Sequence, residues 1–319
     1  MTHRSRGVLA VGLAAVVLSS CATVTPSPSP TVEPTATPSP VVTPEPTATP
    51  RPTPAPIPVD QEMLTHRLTI LVVGSDSSAV RRRNGLLTFR TDALMVVSIN
   101  ADQSQISMVS LPRDTVDVPL GNGRIYTGKV NGIAQVFGLD GLRTAMATLL
   151  GVKIDRYLMV NMDDFPWIVD AVGGIDVDVQ TRIRDGEIHL SLDPGPTHLD
   201  GARALLFSRT RADSDYMRGA RQQQVVLALL KRWLDPATPV ALLSELRLLA
   251  SLKTDISLGE LVTLIEIGRR ALTAKVVAAV LQPPRYAYFA GVEPGGTRGW
   301  VMIPNIGAMR AYARSVMGD

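Results

Sequence analysis

Arg90-Thr91-Asp92-Ala93-Leu94-Met95-Val96-Val97-Ser98-Ile99-Asn100-Ala101-Asp102-Gln103-Ser104-Gln105-Ile106-Ser107-Met108-Val109-Ser110-Leu111-Pro112-Arg113-Asp114-Thr115 is the stretch on which the fold turns. It holds two short apolar runs rich in Val and Ile, Ala93 to Ile99 and Ile106 to Leu111, separated by the polar tetrad Asn100, Ala101, Asp102 and Gln103. That pattern predicts two strands joined by a hairpin turn. A hairpin returns the chain to its origin, so Arg90-Thr91-Asp92 and Arg113-Asp114-Thr115 are expected at the same sheet edge. Two arginines and two aspartates then converge. Guanidinium forks grip phosphoryl oxygens and carboxylates hold a divalent cation, so the mixture suits a phosphate with its metal; the plainer alternative is a pair of ion-paired strand ends.

Outward from the hairpin, Arg67 to Val73 reads as a buried strand that stops in Gly74-Ser75-Asp76-Ser77-Ser78, which makes Asp76 a third acidic candidate or a turn aspartate. Arg81-Arg82-Arg83-Asn84-Gly85 reads as an exposed basic loop. On the other side, Gly123 to Lys129 fits Gly-x-x-x-x-Gly-Lys, but Val130 stands where a P-loop needs a hydroxyl for Mg²⁺, and no buried strand leads into it. A nucleotide P-loop is therefore set aside, while Lys129 and Asn131 stay as secondary site candidates. Helices are expected over Ile133 to Leu150, closed by Gly151, and over Met162 to Val172, stopped by Gly173-Gly174. Strands are expected over Asp155 to Asn161 and Ile175 to Val179, where Asp176 and Asp178 alternate with apolar residues as on a half-exposed strand.

A second cluster of charge runs through Arg209-Thr210-Arg211, Asp213, Asp215, Arg218, Arg221 and Gln222. At helical spacing Arg218, Arg221 and Gln222 share a face at the start of a helix that continues to Trp233. The first turn of a helix already carries positive partial charge, so arginines there call for an anion or acidic partners. Asp213 and Asp215 are candidates for those partners and for N-caps. Four arginines in this stretch outnumber the two aspartates, which favours an anion site. Further on, Leu242 to Leu252 is a predicted helix, and Ser257 with Glu260 forms a capping box opening another. Val276 to Leu281, Tyr286 to Ala290 and Trp300 to Ile303 read as strands, and Ile306 to Met317 as a closing helix. There is no zinc spacing, no Gly-x-Ser-x-Gly elbow and no cysteine nucleophile, and the histidines form no ligand pair; His198 is a general-base candidate by position alone.

The 319 residues are 45% hydrophobic, ample for a sizeable core, and the net charge of +3 is too small and too scattered to argue for nucleic acid. Arg4 and Arg6 precede an apolar run, Gly7 to Leu18, too short to span a bilayer, and Leu18-Ser19-Ser20-Cys21 looks like a lipobox around the single cysteine. Residues 1–20 are thus expected to be a lipoprotein signal peptide and Cys21 the lipidation site. From Cys21 to Val59 the chain is dominated by Pro, Thr, Ser, Ala, Val and Glu. That composition reads as an extended stalk, able to span roughly 100 Å at about 3.1 Å per residue. The folded domain is expected over 60–319.

Taken in order, Arg90-Thr91-Asp92, Ser110-Leu111-Pro112-Arg113-Asp114-Thr115, Lys129-Val130-Asn131, Val169-Asp170-Ala171-Val172-Gly173-Gly174, Arg209-Thr210-Arg211 and Arg218-Gly219-Ala220-Arg221-Gln222-Gln223 resemble the LytR-CpsA-Psr family. The resemblance implies one three-layer α/β/α domain with a central mixed, largely antiparallel sheet. It implies an extracytoplasmic, Mg²⁺-dependent (or Mn²⁺-dependent) phosphotransferase that moves a glycan from a polyprenyl diphosphate carrier to a hydroxyl of peptidoglycan or another envelope glycan. It makes Asp76 and Asp92 the metal carboxylates. Arg90, Arg113, Arg209, Arg211 and Arg218, with Gln222, become the diphosphate cradle, Arg221, Lys129 and Asn131 joining that set as candidates. Arg113 is expected nearest the reacting phosphorus, with Asp92 or Asp114 taking the proton, and the prenyl tail in an apolar tunnel. The family usually carries a membrane-spanning helix, for which this chain would substitute lipid at Cys21 on the outer face of the cytoplasmic membrane. A pyrophosphate hydrolase and a non-catalytic lipoprotein that holds wall polymer are the alternative readings.

Overall fold

The hairpin forms where the pattern places it. In a computed structural model, which describes residues 58–85, 88–235 and 252–318, strands β1 (Leu68–Ser75), β2 (Thr91–Ile99) and β3 (Gln105–Ser110) pair antiparallel in sequence order. The turn between β2 and β3 is built by its polar residues: the Gln105 N–H donates to Asn100 Oδ1 at 2.8 Å, the Ser104 N–H to Asp102 Oδ1 at 3.1 Å, and Gln103 takes the left-handed φ of 56°. Past the end of β3, the Leu111 N–H still donates to the Leu94 carbonyl at 3.0 Å, which brings Arg113 back beside the start of β2.

Three more strands complete a six-stranded sheet: β4 (Arg156–Asn161), β5 (Lys253–Thr254) and β6 (Lys275–Val280), in the order β5-β4-β1-β2-β3-β6. Strand β4 runs parallel to β1 and β6 parallel to β3, while β5 is antiparallel to β4, so the sheet is mixed. Side chains alternate between its faces. Leu71, Val73, Leu94, Val96 and Val109 face one core, covered by helices α1 (Ile133–Leu150) and α6 (Ile306–Met317). Leu68, Met95, Ile99, Ile106 and Met108 face the other, covered by α4 (Asp215–Leu234) and α5 (Leu258–Arg270). Burial on both faces is why these strands read as nearly continuous apolar runs. The three-layer α/β/α architecture follows.

A smaller core gathers helices α2 (Asp164–Ala171) and α3 (Gly201–Arg209) with the ribbon Ile175–Val179 and Gly195–Leu199. Gly173 and Gly174, at φ 78° and 83°, end α2 as expected. His198 lies on that ribbon, exposed, its Nδ1 2.8 Å from the Asp176 carboxylate. Two expectations are corrected. Arg81–Arg83 belong to a short helix, Ala79–Arg83, and not to a loop. The N-cap of α4 is Ser214, whose hydroxyl accepts the Met217 N–H at 3.1 Å, which leaves Asp213 and Asp215 free to pair with arginines. Cys21, the stalk up to residue 57 and the predicted helix from Leu242 to residue 251 lie outside the described residues. Among the described residues no helix is long and apolar enough to cross a membrane.

The capping box at α5 also ties that helix to the sheet. Glu260 Oε2 accepts the Ser257 N–H at 2.9 Å, while its Oε1 accepts from the Arg156 guanidinium on β4, Nε at 3.0 Å. The Arg156 hydrogen bond first, and the Ser257 N–H second, hold the Glu260 carboxyl down at about 2 from an ordinary 4.5. A depressed carboxyl contributes stability that is complete above its unfolded value and lost as pH falls through its folded value. Urea midpoints measured from pH 6 to pH 2 should therefore fall between about pH 4.5 and 2, and Glu260→Gln should flatten that limb while lowering the midpoint at pH 6.

Candidate functional site

Between Gly74 and Ser75 the β1–β2 register slips: Gly74 pairs with Ala93 and Ser75 with Thr91, so Asp92 is the extra residue of a β-bulge. Bulges break the ladder locally and re-aim a side chain. The chains approach so closely here that a Cβ on Gly74 would lie 2.9 Å from the Ala93 Cβ, which is why a glycine stands at this position. Asp92 turns to the returning hairpin arm, where its Oδ2 lies 2.9 Å from Arg113 Nη1. Asp114, the next residue, holds Lys129 Nζ at 2.6 Å on Oδ1, and its Oδ2 is 3.5 Å from Arg113 Nε, an electrostatic contact too long for a hydrogen bond. Of the two arginines and two aspartates expected to converge, Asp92, Arg113 and Asp114 do, with Lys129 added, while the Arg90 side chain stays exposed.

Helix α4 brings the second cluster to the same place. Arg218, 6% exposed, donates to both oxygens of Asp215 at 3.0 Å, and Arg211 Nε reaches Asp215 Oδ1 at 3.1 Å. A narrow cavity separates the clusters, with Asp92, Arg113, Asp215, Arg218 and Gln222 on its polar side and Leu94, Leu111, Pro112 and Val280 on its apolar side. Burial alone lowers the Arg113 pKa, but Asp92 and Asp114 outweigh it and the net shift is upward. For Arg218, burial and the Arg113 charge win over Asp215, and the net shift is downward. Among the described residues, Arg113 Nε and Arg218 Nε are buried without a hydrogen-bond acceptor, as is Arg221 Nε away from the cavity, and Asp92 Oδ1 is buried without a donor. Unspent donors on two arginines and an unspent carboxylate oxygen around one cavity fit an anion together with a cation.

The remaining candidates separate. Arg221, only 4% exposed, grips both oxygens of Asp213 at 2.8 Å, donates to the Thr210 carbonyl at 2.7 Å and does not line the cavity. Gln222 lines the cavity and donates to the Ser208 carbonyl at 3.2 Å. Arg90 and Arg209 are exposed, and neither lines the cavity. Asn131 is buried, its carbonyl accepting the Thr91 hydroxyl at 3.3 Å, away from the cavity lining. Asp76 continues the β1–β2 pairing, its Oδ1 accepting the Arg90 N–H at 2.6 Å and its N–H donating to the Arg90 carbonyl. Among the described residues no group of three or more His, Cys, Asp or Glu is placed to hold a metal. A cation held by one or two carboxylates and substrate oxygens needs no such group.

Gln223 is the residue that reading the sequence passed over. Buried at 5% exposure, its Nε2 donates to the Ala279 carbonyl at 2.8 Å and the Ser110 hydroxyl at 3.0 Å, stitching α4 to β6 and β3. A glutamine at the inward spacing of Gly219, Val226 and Leu230 was the signal available.

The family model of LytR-CpsA-Psr proteins matches residues 45–286. The chain belongs to the LytR-CpsA-Psr family. Among relatives, it is 34% identical over 168 residues to the "polyisoprenyl-teichoic acid–peptidoglycan teichoic acid transferase TagU" of Bacillus mycoides, covering 52% of each protein. To the TagV transferase of Bacillus subtilis it is 29% identical over 216 residues, 65% of this chain and 54% of that one. It thus spans about half the length of the curated relatives it matches. The crystal structure of Bacillus subtilis TagV superposes at a TM-score of 0.62 with 25% identity, over 79% of this chain and 98% of that one. A structure of TagT bound to LIIa-WTA superposes at 0.61 with 19% identity, over 80% and 92%. The LytR-CpsA-Psr fold expected from the motifs is therefore the fold of this chain.

The Arg221–Asp213 brace can be tested apart from any activity. Asp213→Ala leaves a buried guanidinium without its carboxylate and should cost about 3 kcal/mol of unfolding free energy in urea. Asp213→Glu, which keeps the charge, should recover part of that loss.

Proposed function

We propose that this protein transfers a phosphoglycan from a polyprenyl diphosphate carrier to a hydroxyl of peptidoglycan or another envelope glycan, forming a phosphodiester, outside the cytoplasmic membrane and tethered by lipid on Cys21. The observation that carries the reading is that Arg113, Arg218 and Asp92 line one cavity, each with a buried side-chain atom that has no hydrogen-bond partner among the described residues. The transferase names of the TagU and TagV relatives support the same reaction class.

In this proposal the diphosphate lies between Arg113 and Arg218, with Gln222 at its side and Arg211 and the exposed Arg90 and Arg209 at the rim. Asp92 Oδ1, with Asp76, would hold Mg²⁺ or Mn²⁺, which when bound neutralises charge on the phosphoryl oxygens. Asp114 Oδ2, which makes no hydrogen bond to Arg113 at 3.5 Å, takes the proton of the attacking hydroxyl, while Lys129 fixes Oδ1. The hydroxyl oxygen bonds to the glycan-side phosphorus, the bond to the bridging oxygen breaks, and polyprenyl phosphate leaves with that oxygen. The two arginines stabilise the charge that spreads over the phosphoryl oxygens, in a site where little water competes for them.

The test uses the full chain with a polyprenyl diphosphate-linked oligosaccharide, with and without peptidoglycan fragments, following polyprenyl phosphate. Release should be stimulated by the acceptor, lost on chelation and restored by Mg²⁺; Arg113→Ala should lower kcat/KM by about 10²–10³. Acceptor-indifferent release would replace the transferase with a hydrolase. Tight donor binding without release in any condition would leave a binding protein.

A further inference from the structure

Beside the diphosphate cavity, the first turns of α4 and the edge strand β6 border a second, open hollow of about 300 Å³. That is the lower end of the size range of small-molecule sites and far more than an ion or a single water needs. Small residues make the space: Ala220 on the helix and Ala278 and Ala279 on the strand all line it. Val280 lines both hollows, and Gly219 lets the helix come so close that a Cβ there would lie 3.2 Å from a Val280 methyl. The two sites are therefore neighbours across one strand end.

Their chemistry differs. The diphosphate cavity is lined by Arg113, Arg218, Asp92 and Asp215, whereas among the described residues no charged side chain lines the second hollow. Its polar atoms come from a phenol, Tyr216, and two primary amides, Gln223 and Gln282. A phosphate would find no counter-charge here, and a prenyl chain would strip water from the Tyr216 phenol and the exposed Gln282 amide without pairing them. A neutral ligand with hydroxyls and an apolar face satisfies both demands: a sugar ring, resting on an aromatic face and hydrogen-bonded at its edge.

We propose, resting on the transferase reading above, that this hollow holds a sugar of the acceptor glycan, its ring against Tyr216 and its hydroxyls on Gln223 Oε1, as acceptor, and on the Gln282 amide. Gln223 is held rigid by Ala279 and Ser110, so the amide is positioned before the sugar arrives. Burial, then the charges of Asp215 and Asp114, raise the Tyr216 pKa, which keeps the phenol a donor and marks the ring as a neighbour of the aspartate that takes the proton.

The experiment measures binding of muramidase-released disaccharide fragments of peptidoglycan to the full chain by saturation-transfer NMR and calorimetry, and separately the KM values of donor and acceptor in the transfer assay. Ala278→Trp fills the hollow at an exposed position; Gln282→Ala, also exposed and outside any regular element, removes one amide without adding bulk. Both should weaken fragment binding and raise acceptor KM, Ala278→Trp by at least about tenfold, with donor KM unchanged. Fragments that fail to bind the unaltered protein would overturn the inference, as would fragments that bind both variants as well as the unaltered protein. A rise in donor KM with fragment binding intact would overturn it by giving the hollow to the prenyl chain. Fragment binding that Ala278→Trp abolishes, in a protein that shows no transfer, would sustain the sugar site and remove the transferase.

Discussion

The ion pair between Asp92 and Arg113 closes the open end of the central hairpin, and the other site residues are arranged around it. Neither partner could be there without the backbone around it. Asp92 is aimed by a bulge that only a glycine at position 74 accommodates, and Arg113 is delivered by a strand whose register is set by alternating burial on two faces. Partly buried pairs of this kind are poor sources of stability, because desolvation consumes most of the Coulomb gain. Their value here is geometric: the pair fixes one Asp92 oxygen 2.9 Å from Arg113, and both residues line the cavity.

The same logic explains why two arginines one turn apart on α4 do different things. Arg221 finds in Asp213 a carboxylate whose two oxygens it grips, and a carbonyl at the end of α3, so its charge is answered inside the protein. Arg218 shares Asp215 with Arg211; burial first, with the Arg113 charge added, outweighs Asp215, so its pKa falls where that of Arg113 rises. Around the cavity, the cations Arg113, Lys129, Arg211 and Arg218 face the carboxylates Asp92, Asp114 and Asp215. The protein's own carboxylates leave one positive charge over, at the first turn of a helix whose dipole adds to it. An anion relieves that imbalance, and a substrate that carries two phosphates does so better than one with a single charge.

The site also divides into charged and neutral halves. Arginines and aspartates gather where the hairpin and α4 meet, while the neighbouring hollow at the edge strand is built from alanines, amides and a phenol. A reaction that joins a charged phosphoglycan to a neutral sugar hydroxyl calls for these two environments side by side, with the low-dielectric boundary between them strengthening whatever charge contacts form at the reacting phosphorus.

Much of this was legible in the residues alone. The two apolar runs with a polar tetrad between them determined the hairpin, and the hairpin by itself determined that Asp92, Arg113 and Asp114 would meet, because an antiparallel return is a matter of strand length. Helix ends at Gly151 and Gly173-Gly174 and the capping box at Ser257 and Glu260 are local chemistry, and local chemistry is written in neighbouring residues. Tertiary structure decided the rest. Helical spacing put Arg218, Arg221 and Gln222 on one face, but spacing does not say how deep a side chain sinks or which carboxylate, residues away, will reach it; only packing of α4 against α3, β3 and β6 assigned Arg221 to Asp213 and Gln223 to the sheet. The bulge at Asp92 was equally invisible, since the one-residue slip that aims the carboxylate is set by pairing with β1, a strand that the hairpin sequence does not contain.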